Sequence, residues 1–301
     1  MFVPEKNIFS ILAQAGPVFA KNLKFLAVIT LLAFVPVSVF RMLLPAEYAT
    51  AYFDFVETWT QALLAGADGQ ALAALAASPP LQGATTFLMM FYGIELAFFP
   101  LSTAAATYLV ARHLAKEKPT FDGMFTAALP RLPKMLFTTA IVAVFLYLML
   151  SLGGVFLIVL TIYFAVGMVF YQQVVTDMGR WGLGAISLSR FIIRRRWFKV
   201  FFGSLIIIIL YFAASVLMEI LTAVLGIGLG VSGNPLVHLP LFLLQHFLLS
   251  FFAIAFSLWY FDIKRFHKFN SEELEKLIMD RMRQQMEKFG PKEEDEENEE
   301  D

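Results

Sequence analysis

Long apolar runs are the feature that most constrains this chain. Six of them meet or approach the ~20 residues that an α-helix needs to cross a lipid bilayer, at residues 22–44, 84–111, 135–151, 155–175, 201–229 and 241–261. Hydrophobic residues make up 59% and charged residues 16% of the 301 positions, well outside the average for soluble domains. Since lipid offers the backbone no hydrogen-bonding partners, the runs predict an all-α integral membrane protein with six transmembrane helices.

The basic residues predict how these helices are oriented. Lys and Arg are concentrated in the N-terminal segment and in residues 112–134, 180–199 and 264–268, whereas the alternate loops contain almost none. By the positive-inside rule, both termini are therefore expected to face the cytoplasm. Gly153 and Gly154 leave so short a connection that the third and fourth helices should form an antiparallel hairpin.

Three basic amphipathic segments suggest an internal repeat. They open with Lys6-x-x-Phe9, Lys118-x-x-Phe121 and Arg180-x-x-Leu183, and each is followed by a membrane helix. This predicts three copies of an interfacial helix plus a helical hairpin. The alternative stays open that cytoplasmic loops between membrane helices are commonly basic and amphipathic.

The third segment carries the densest positive charge. Between Trp181 and Lys199, apolar residues recur at helical spacing, which is typical of a helix lying in the headgroup plane. The candidate headgroup ligands are Ser189, Arg190, Arg194, Arg195, Arg196 and Lys199. Either they attract anionic lipid in general and fix topology, or they form a dedicated phosphate-headgroup pocket with Ser189 as an extra donor. Nucleic-acid binding is not expected, because the aromatic residues here serve the interface.

This region also carries a family resemblance. The pattern Gly182-x-x-Ala185-x-x-x-Ser189, followed by Arg194 to Arg196 and Trp197, resembles a superfamily of six-helix bacterial inner-membrane proteins. The superfamily includes the YciC-like proteins and the membrane domain fused to some glycerophosphodiester phosphodiesterases. The resemblance implies a multi-pass protein of the bacterial inner membrane, and it implies no activity. Many members have a Pro-Gly pair where this chain has Gly153-Gly154.

A few ionisable residues fall within or beside the apolar runs. Glu95 should lie near the bilayer centre, where a charge costs on the order of 2.5 to 3.5 kcal/mol, so it should face other helices and be neutral or paired. Glu219, His246 and Arg41 are expected closer to the outer boundary. Glu95 is either a structural hydrogen-bonding residue or the site of a small transporter or channel.

No complete catalytic set is present in the sequence. The absence of cysteine excludes thiol chemistry, and no segment outside the membrane region is long enough for a phosphodiesterase domain. Gly230-Val-Ser232-Gly233 matches the motif of rhomboid-type intramembrane proteases, with His246 as a remote candidate base. A glycine-serine turn is the simpler interpretation. We expect a non-enzymatic protein without cofactor or metal.

The remaining segments define the domain layout. Residues 1–269 form the membrane domain, with an outer amphipathic insertion at 45–82. Residues 270–290 predict a cytoplasmic amphipathic helix, and residues 291–301 a disordered tail that carries 8 of the 24 acidic residues. Outside residues 293–301, which hold those eight acidic residues, the chain has 23 basic against 16 acidic residues, which suits anionic lipid partners. A membrane-protein partner or a homo-oligomer stays open.

Overall fold

The computed structural model describes four stretches of the chain, residues 6–43, 98–151, 155–228 and 235–265, together with isolated positions between 58 and 70. The chain divides into two units, Met1–Ile263 and Lys264–Asp301, and nearly all described residues belong to the first. The described residues form helices and no strand. Glu95, most of the insertion at 45–82, the helix at 270–290 and the tail at 291–301 lie outside the described residues.

Ten α-helices are described, and we number them in chain order. They are α1 (Ile8–Lys21), α2 (Leu23–Leu43), α3 (98–114), α4 (Phe121–Ala128), α5 (Leu132–Ser151), α6 (Val155–Met168), α7 (Tyr171–Met178), α8 (Leu183–Ile193), α9 (Trp197–Gly228) and α10 (Pro235–Lys264). A short 3-10 turn, Leu129–Arg131, joins α4 to α5.

Four helical segments of the described chain are long and apolar enough to cross a membrane. They are Phe121–Met149, Ile158–Met178, Trp197–Met218 and Phe242–Lys264, and the bent pair α1 and α2 makes a fifth if it is counted as one span. The fold is therefore that of an all-helical protein with several potential membrane spans. The second predicted span, 84–111, is described only from residue 98, where its helix continues to residue 114.

The first two helices meet at a sharp corner. α1 and α2 are bent by 85° at Asn22. The buried amide of Asn22 donates to the carbonyl oxygen of Val18 at 2.7 Å and so occupies one of the acceptors that the end of α1 leaves open. Ile11, Ala15 and Val18 of α1 pack into the protein, whereas Phe9 is 66% exposed. The helix thus presents one apolar face to the protein and an aromatic residue to its surroundings.

The predicted fourth span contains a break. α6 ends at Met168 and α7 begins at Tyr171, although Ile158–Met178 as a whole is still long and apolar enough to cross a membrane. The hydroxyl of Ser189 binds backbone groups at this break. The apolar run over 155–175 gave no sign of the break, because the partner that accommodates it lies in α8, about 20 residues further along the chain.

The third amphipathic helix is shorter than the spacing from Trp181 to Lys199 predicted. Gly182 precedes α8 with a φ of 59°, and Gly179 ends α7 with a φ of 70°. These left-handed conformations favour glycine and form the turn that delays the helix until Leu183. Trp181 therefore lies before the helix, and Arg194 to Arg196 form the turn after it instead of lying within it.

The last two helices are longer than predicted. α9 begins at Trp197, four residues before the predicted start, and α10 begins at Pro235, six residues before its predicted start. Pro240, one residue before the predicted start at 241, lies inside α10. Proline at the first helical position presets φ and loses no hydrogen bond, so Pro235 is a favourable start. Lipid also favours backbone that is paired within a helix.

The core lies where α7 and α10 meet. The side chains of Phe170, Trp259 and Tyr260 are among the largest that are fully buried, and the ring of Phe170 contacts both of the others edge-on. A carbon atom added at Gly203 of α9 would overlap the Trp259 ring. The absence of a side chain at Gly203 therefore lets α9 approach α10 closely.

Candidate functional site

The break between α8 and α9 brings the predicted cations to one surface. Arg194 is the C-cap of α8, and the backbone N–H of Arg196 donates to Ile193 O at 2.7 Å. Together with Trp197, Phe198 and Lys199, the arginines line an open recess of about 530 Å³. Within the described part of the chain, the guanidinium groups of Arg194 and Arg195 are exposed and have no hydrogen-bond or ion-pair partner. They are therefore free to bind an anion.

Trp197 fixes the start of α9 beside these cations. Its Nε1 donates to the carbonyl oxygen of Tyr163 at 3.1 Å. Its indole also stacks on the rings of Tyr163 and Phe201, with centroids 5.5 and 5.3 Å apart. An indole with one apolar face and one hydrogen-bonding edge suits a membrane interface. The charge pattern revealed the cations, but it gave no sign that Tyr163 would hold Trp197.

Arg190 extends the basic surface onto α8. Its guanidinium carbon lies 4.6 Å from the centre of the Phe164 ring, a cation-π contact. A side-chain carbon at Gly167 would meet the Arg190 side chain at 3.0 Å. Arg190 is therefore packed along α6, while its side chain as a whole stays exposed. Because of this packing, the side chain of Arg190 has less conformational freedom than the side chains of Arg194 and Arg195.

Ser189 differs from the other predicted headgroup ligands because it is fully buried. Its hydroxyl donates to Gly167 O at 2.9 Å and accepts from the backbone N–H of Phe170 at 3.2 Å. Both groups lie at the break between α6 and α7. The geometry therefore gives Ser189 a structural part, in which it joins α8 to this break.

His246 is buried in an aromatic surrounding. Its Nδ1 donates to Phe242 O at 2.9 Å, and its ring lies 4.0 Å from the Phe34 ring and 4.1 Å from the Phe242 ring, measured between centroids. These contacts fit a histidine that packs α2 against α10. The side chains of Arg41 and Glu219 and all of Glu95 and Ser232 fall outside the described residues. The transporter and protease alternatives therefore stay predictions.

The described residues contain no group of three or more His, Asp or Glu side chains that could hold a metal ion. The chain matches no family model, no curated protein and no solved structure. The resemblance to the six-helix inner-membrane superfamily thus stays a prediction from the residues at 182–197. The apolar helices define the class: this is an α-helical protein compatible with several membrane crossings.

Proposed function

We propose that this chain is a non-enzymatic, multi-pass membrane protein that binds anionic lipid headgroups through the basic cluster, defined as Arg190, Arg194, Arg195, Arg196 and Lys199. One observation carries the proposal. Two exposed guanidinium groups, at 194 and 195, lie at the start of an apolar helix whose first residue is an anchored tryptophan. Guanidinium groups match phosphate geometry, and each cation near an anionic leaflet contributes up to ~1 kcal/mol.

We further propose the complete architecture of six transmembrane helices, built as three interfacial helices that each precede a hairpin. Two features support it. The 85° corner between α1 and α2 suits a helix that lies on the membrane followed by one that enters it. The first turns of α1, α4 and α8 also present Phe9, Phe121 and Leu183 to the surroundings, where they would insert among acyl chains.

The location follows from the same proposal. With both termini in the cytoplasm, the basic cluster faces the cytoplasmic leaflet of a bacterial inner membrane. The charge pattern favours this orientation, and the family resemblance favours this membrane. A surface that gathers anionic lipid would also recruit or organise partner membrane proteins that bind the same lipids. Self-association of the chain is an alternative form of this organising role.

Retention of lipid by the purified protein tests the proposal. Native mass spectrometry of the full chain, extracted from membranes that contain phosphatidylglycerol, should show this lipid bound in preference to phosphatidylcholine. The double variant Arg194→Gln and Arg195→Gln should lose this preference. The matched control Lys116→Gln and Lys118→Gln removes two exposed charges from another segment and should retain it.

The outcomes separate a dedicated site from general attraction. An equal loss in both double variants would mean that charge alone attracts lipid, and the dedicated site would be wrong. A wild-type protein that binds both lipids equally would contradict the headgroup function altogether. Raising the salt concentration should weaken binding at the exposed arginines, because exposed charges are screened within about 8 to 10 Å at physiological ionic strength.

A further inference from the structure

A second cleft, separate from the basic cluster, opens beside the end of α3. It has a volume of about 530 Å³ and is lined by residues of α3, α4, α7 and α10. Thr107 and Thr176 in its lining are buried, whereas Arg112 is half-buried and Asp122 is exposed. The cleft therefore leads from the surface into the packed helices.

Charged groups of both signs line this cleft. Arg112 forms an ion pair with Glu117, whose hydrogen bond raises the pKa of Arg112. Arg131 donates to Ala127 O at 3.1 Å, and no carboxylate partner is found for it among the described residues. Asp122 likewise has no partner in the described part of the chain. A guanidinium with donors to spare and a carboxylate with free acceptors thus remain for a ligand.

The walls of the cleft are held by specific contacts. The hydroxyl oxygen of Tyr108 accepts the backbone N–H of Thr120 at 3.3 Å, which ties α3 to the start of α4. A side chain at Gly123 would overlap Tyr108, so the two helices approach through a glycine. On the other wall, Asp177 accepts a hydrogen bond from Tyr260 at 2.8 Å. The cleft is therefore formed before any ligand arrives, which lowers the ordering cost of binding.

Exposed apolar residues lie next to the cleft in the sequence. Leu114 and Phe121 each adjoin a residue that lines the cleft, Ala115 and Asp122, and both are exposed. Large exposed apolar side chains commonly mark surfaces that contact lipid or a protein partner. A ligand of this cleft can therefore come from lipid as well as from water.

We propose that this cleft binds a zwitterion in which a phosphate is joined to a primary amine, the chemistry of phosphoethanolamine. Arg131 would bind the phosphate, because a planar guanidinium forms paired, charge-assisted hydrogen bonds with phosphate oxygens. Asp122 would accept hydrogen bonds from the ammonium group. A simple anion suits the cleft less well, since the carboxylates of Asp122 and Asp177 would repel it. The inference does not rest on the headgroup function of the basic cluster.

Soluble probes test this recognition on the full chain in detergent. Binding of O-phosphoethanolamine, inorganic phosphate and ethanolamine would each be measured by calorimetric titration. We expect O-phosphoethanolamine to bind at least about tenfold more tightly than either fragment, because only it engages both charged groups. Equal binding of inorganic phosphate and O-phosphoethanolamine would overturn the proposal.

Variants test the roles proposed for Arg131 as the phosphate ligand and Asp122 as the ammonium ligand. Arg131→Gln should weaken binding of O-phosphoethanolamine at least about tenfold, whereas Lys134→Gln, an exposed cation outside the cleft, should not. Asp122→Asn should remove the preference over inorganic phosphate. If Arg131→Gln behaves like Lys134→Gln, the assignment is wrong. Circular dichroism of each variant verifies that it remains folded.

A lipid measurement distinguishes the source of the ligand. Native mass spectrometry would compare retention of phosphatidylethanolamine and phosphatidylcholine, since a choline group has no N–H to donate to Asp122. If phosphatidylethanolamine is retained through Arg131 but O-phosphoethanolamine does not bind, the ligand is a lipid headgroup. If the lipid and the soluble probe both bind, the cleft recognises the phosphoethanolamine group in either form. If neither binds, the inference is contradicted. The double variant at 194 and 195 should leave all these results unchanged.

Discussion

The hydroxyl of Ser189 accepts the backbone N–H of Phe170 at 3.2 Å while donating to Gly167 O at 2.9 Å. A single buried side chain of α8 thereby satisfies a donor and an acceptor that the break between α6 and α7 leaves unpaired. Unpaired buried backbone groups are costly, above all where water is absent. The serine thus couples the third amphipathic helix to the interrupted helix beside it.

Replacing this serine should destabilise the protein more than replacing its exposed neighbour. Ser189→Ala would leave two buried backbone groups without a partner, at about 1 to 3 kcal/mol for each unsatisfied group. We expect a clear fall in the melting temperature of the detergent-solubilised protein, followed by circular dichroism. The control Ser187→Ala lies two residues away on the exposed side of α8. Equal melting temperatures of the two variants would contradict this role.

The same residue illustrates how far the sequence could predict the structure. Apolar length predicted most of the described membrane-length helices to within a few residues, because a hydrophobic run is a property of local composition. The break at residues 169–170 could not be predicted, since the run through Val166, Met168 and Phe170 is uniformly apolar. What accommodates the break is a hydroxyl about 20 residues away, which only the tertiary structure brings close.

The candidate site was predictable to a similar degree. The sequence identified Arg194 to Arg196 as a basic cluster, but a helical repeat placed them on the face of a helix. Two glycines with positive φ, Gly179 and Gly182, delay the start of α8, and the helix ends at Ile193, so the arginines lie in the turn that follows it. The cleft that contains Arg131 and Asp122 escaped prediction because α7 and α10, which complete it, lie 40 or more residues away in the chain.

The contact between α9 and α10 should be sensitive to one methyl group. Gly203→Ala would place its added carbon in the ring of Trp259 and should push the helices apart, at about 1 to 3 kcal/mol for overpacking. Thermal unfolding in detergent measures the effect. Gly184→Ala, which meets no atom within 4 Å, should not lower the melting temperature. The double variant Gly203→Ala and Trp259→Leu should recover part of the loss, and no recovery would contradict the proposed clash.

Trp197 should stabilise the start of α9 through two separable contacts. Trp197→Phe removes the hydrogen bond to Tyr163 O but retains an aromatic ring, so we expect a loss of about 1 kcal/mol. Trp197→Ala also removes the stacking on Tyr163 and Phe201 and should lose about 1 kcal/mol more. Circular dichroism melts would rank the two variants. A phenylalanine variant as unstable as the alanine variant would show that the hydrogen bond dominates.

The proposed topology can be tested by reporter fusions along the chain. Six spans with both termini in the cytoplasm require one set of fusions to report the outer side and another the inner side. The outer positions follow Gln70, Gly154 and Gly233, and the inner positions follow Lys118, Gly179 and Lys268. Alkaline phosphatase activity marks the outer side and green fluorescence the inner side. A single reversed position would contradict the arrangement of three hairpins.

The three amphipathic helices share an anchor that the repeat hypothesis did not foresee. At the start of each one, a backbone N–H donates to a side chain of a longer helix. Lys6 donates to Asp262 at 3.3 Å, Thr120 to Tyr108 at 3.3 Å, and Gly182 to Thr138 at 2.8 Å. In the register of the proposed repeat Lys6 aligns with Lys118 and Arg180, so only the anchors at Thr120 and Gly182 fall at equivalent positions.

Hydrogen exchange can test the anchor at Gly182. Thr138→Val keeps the shape of the side chain but removes the hydroxyl, so the amide of Gly182 loses its acceptor. A hydrogen bond of about 1 kcal/mol corresponds to a roughly fivefold faster exchange at that amide. The matched control is Thr139→Val, whose hydroxyl instead contacts the Tyr171 hydroxyl at 2.8 Å. Exchange at Gly182 that stays unchanged in Thr138→Val, or that rises equally in both variants, would mean that the bond does not hold the helix.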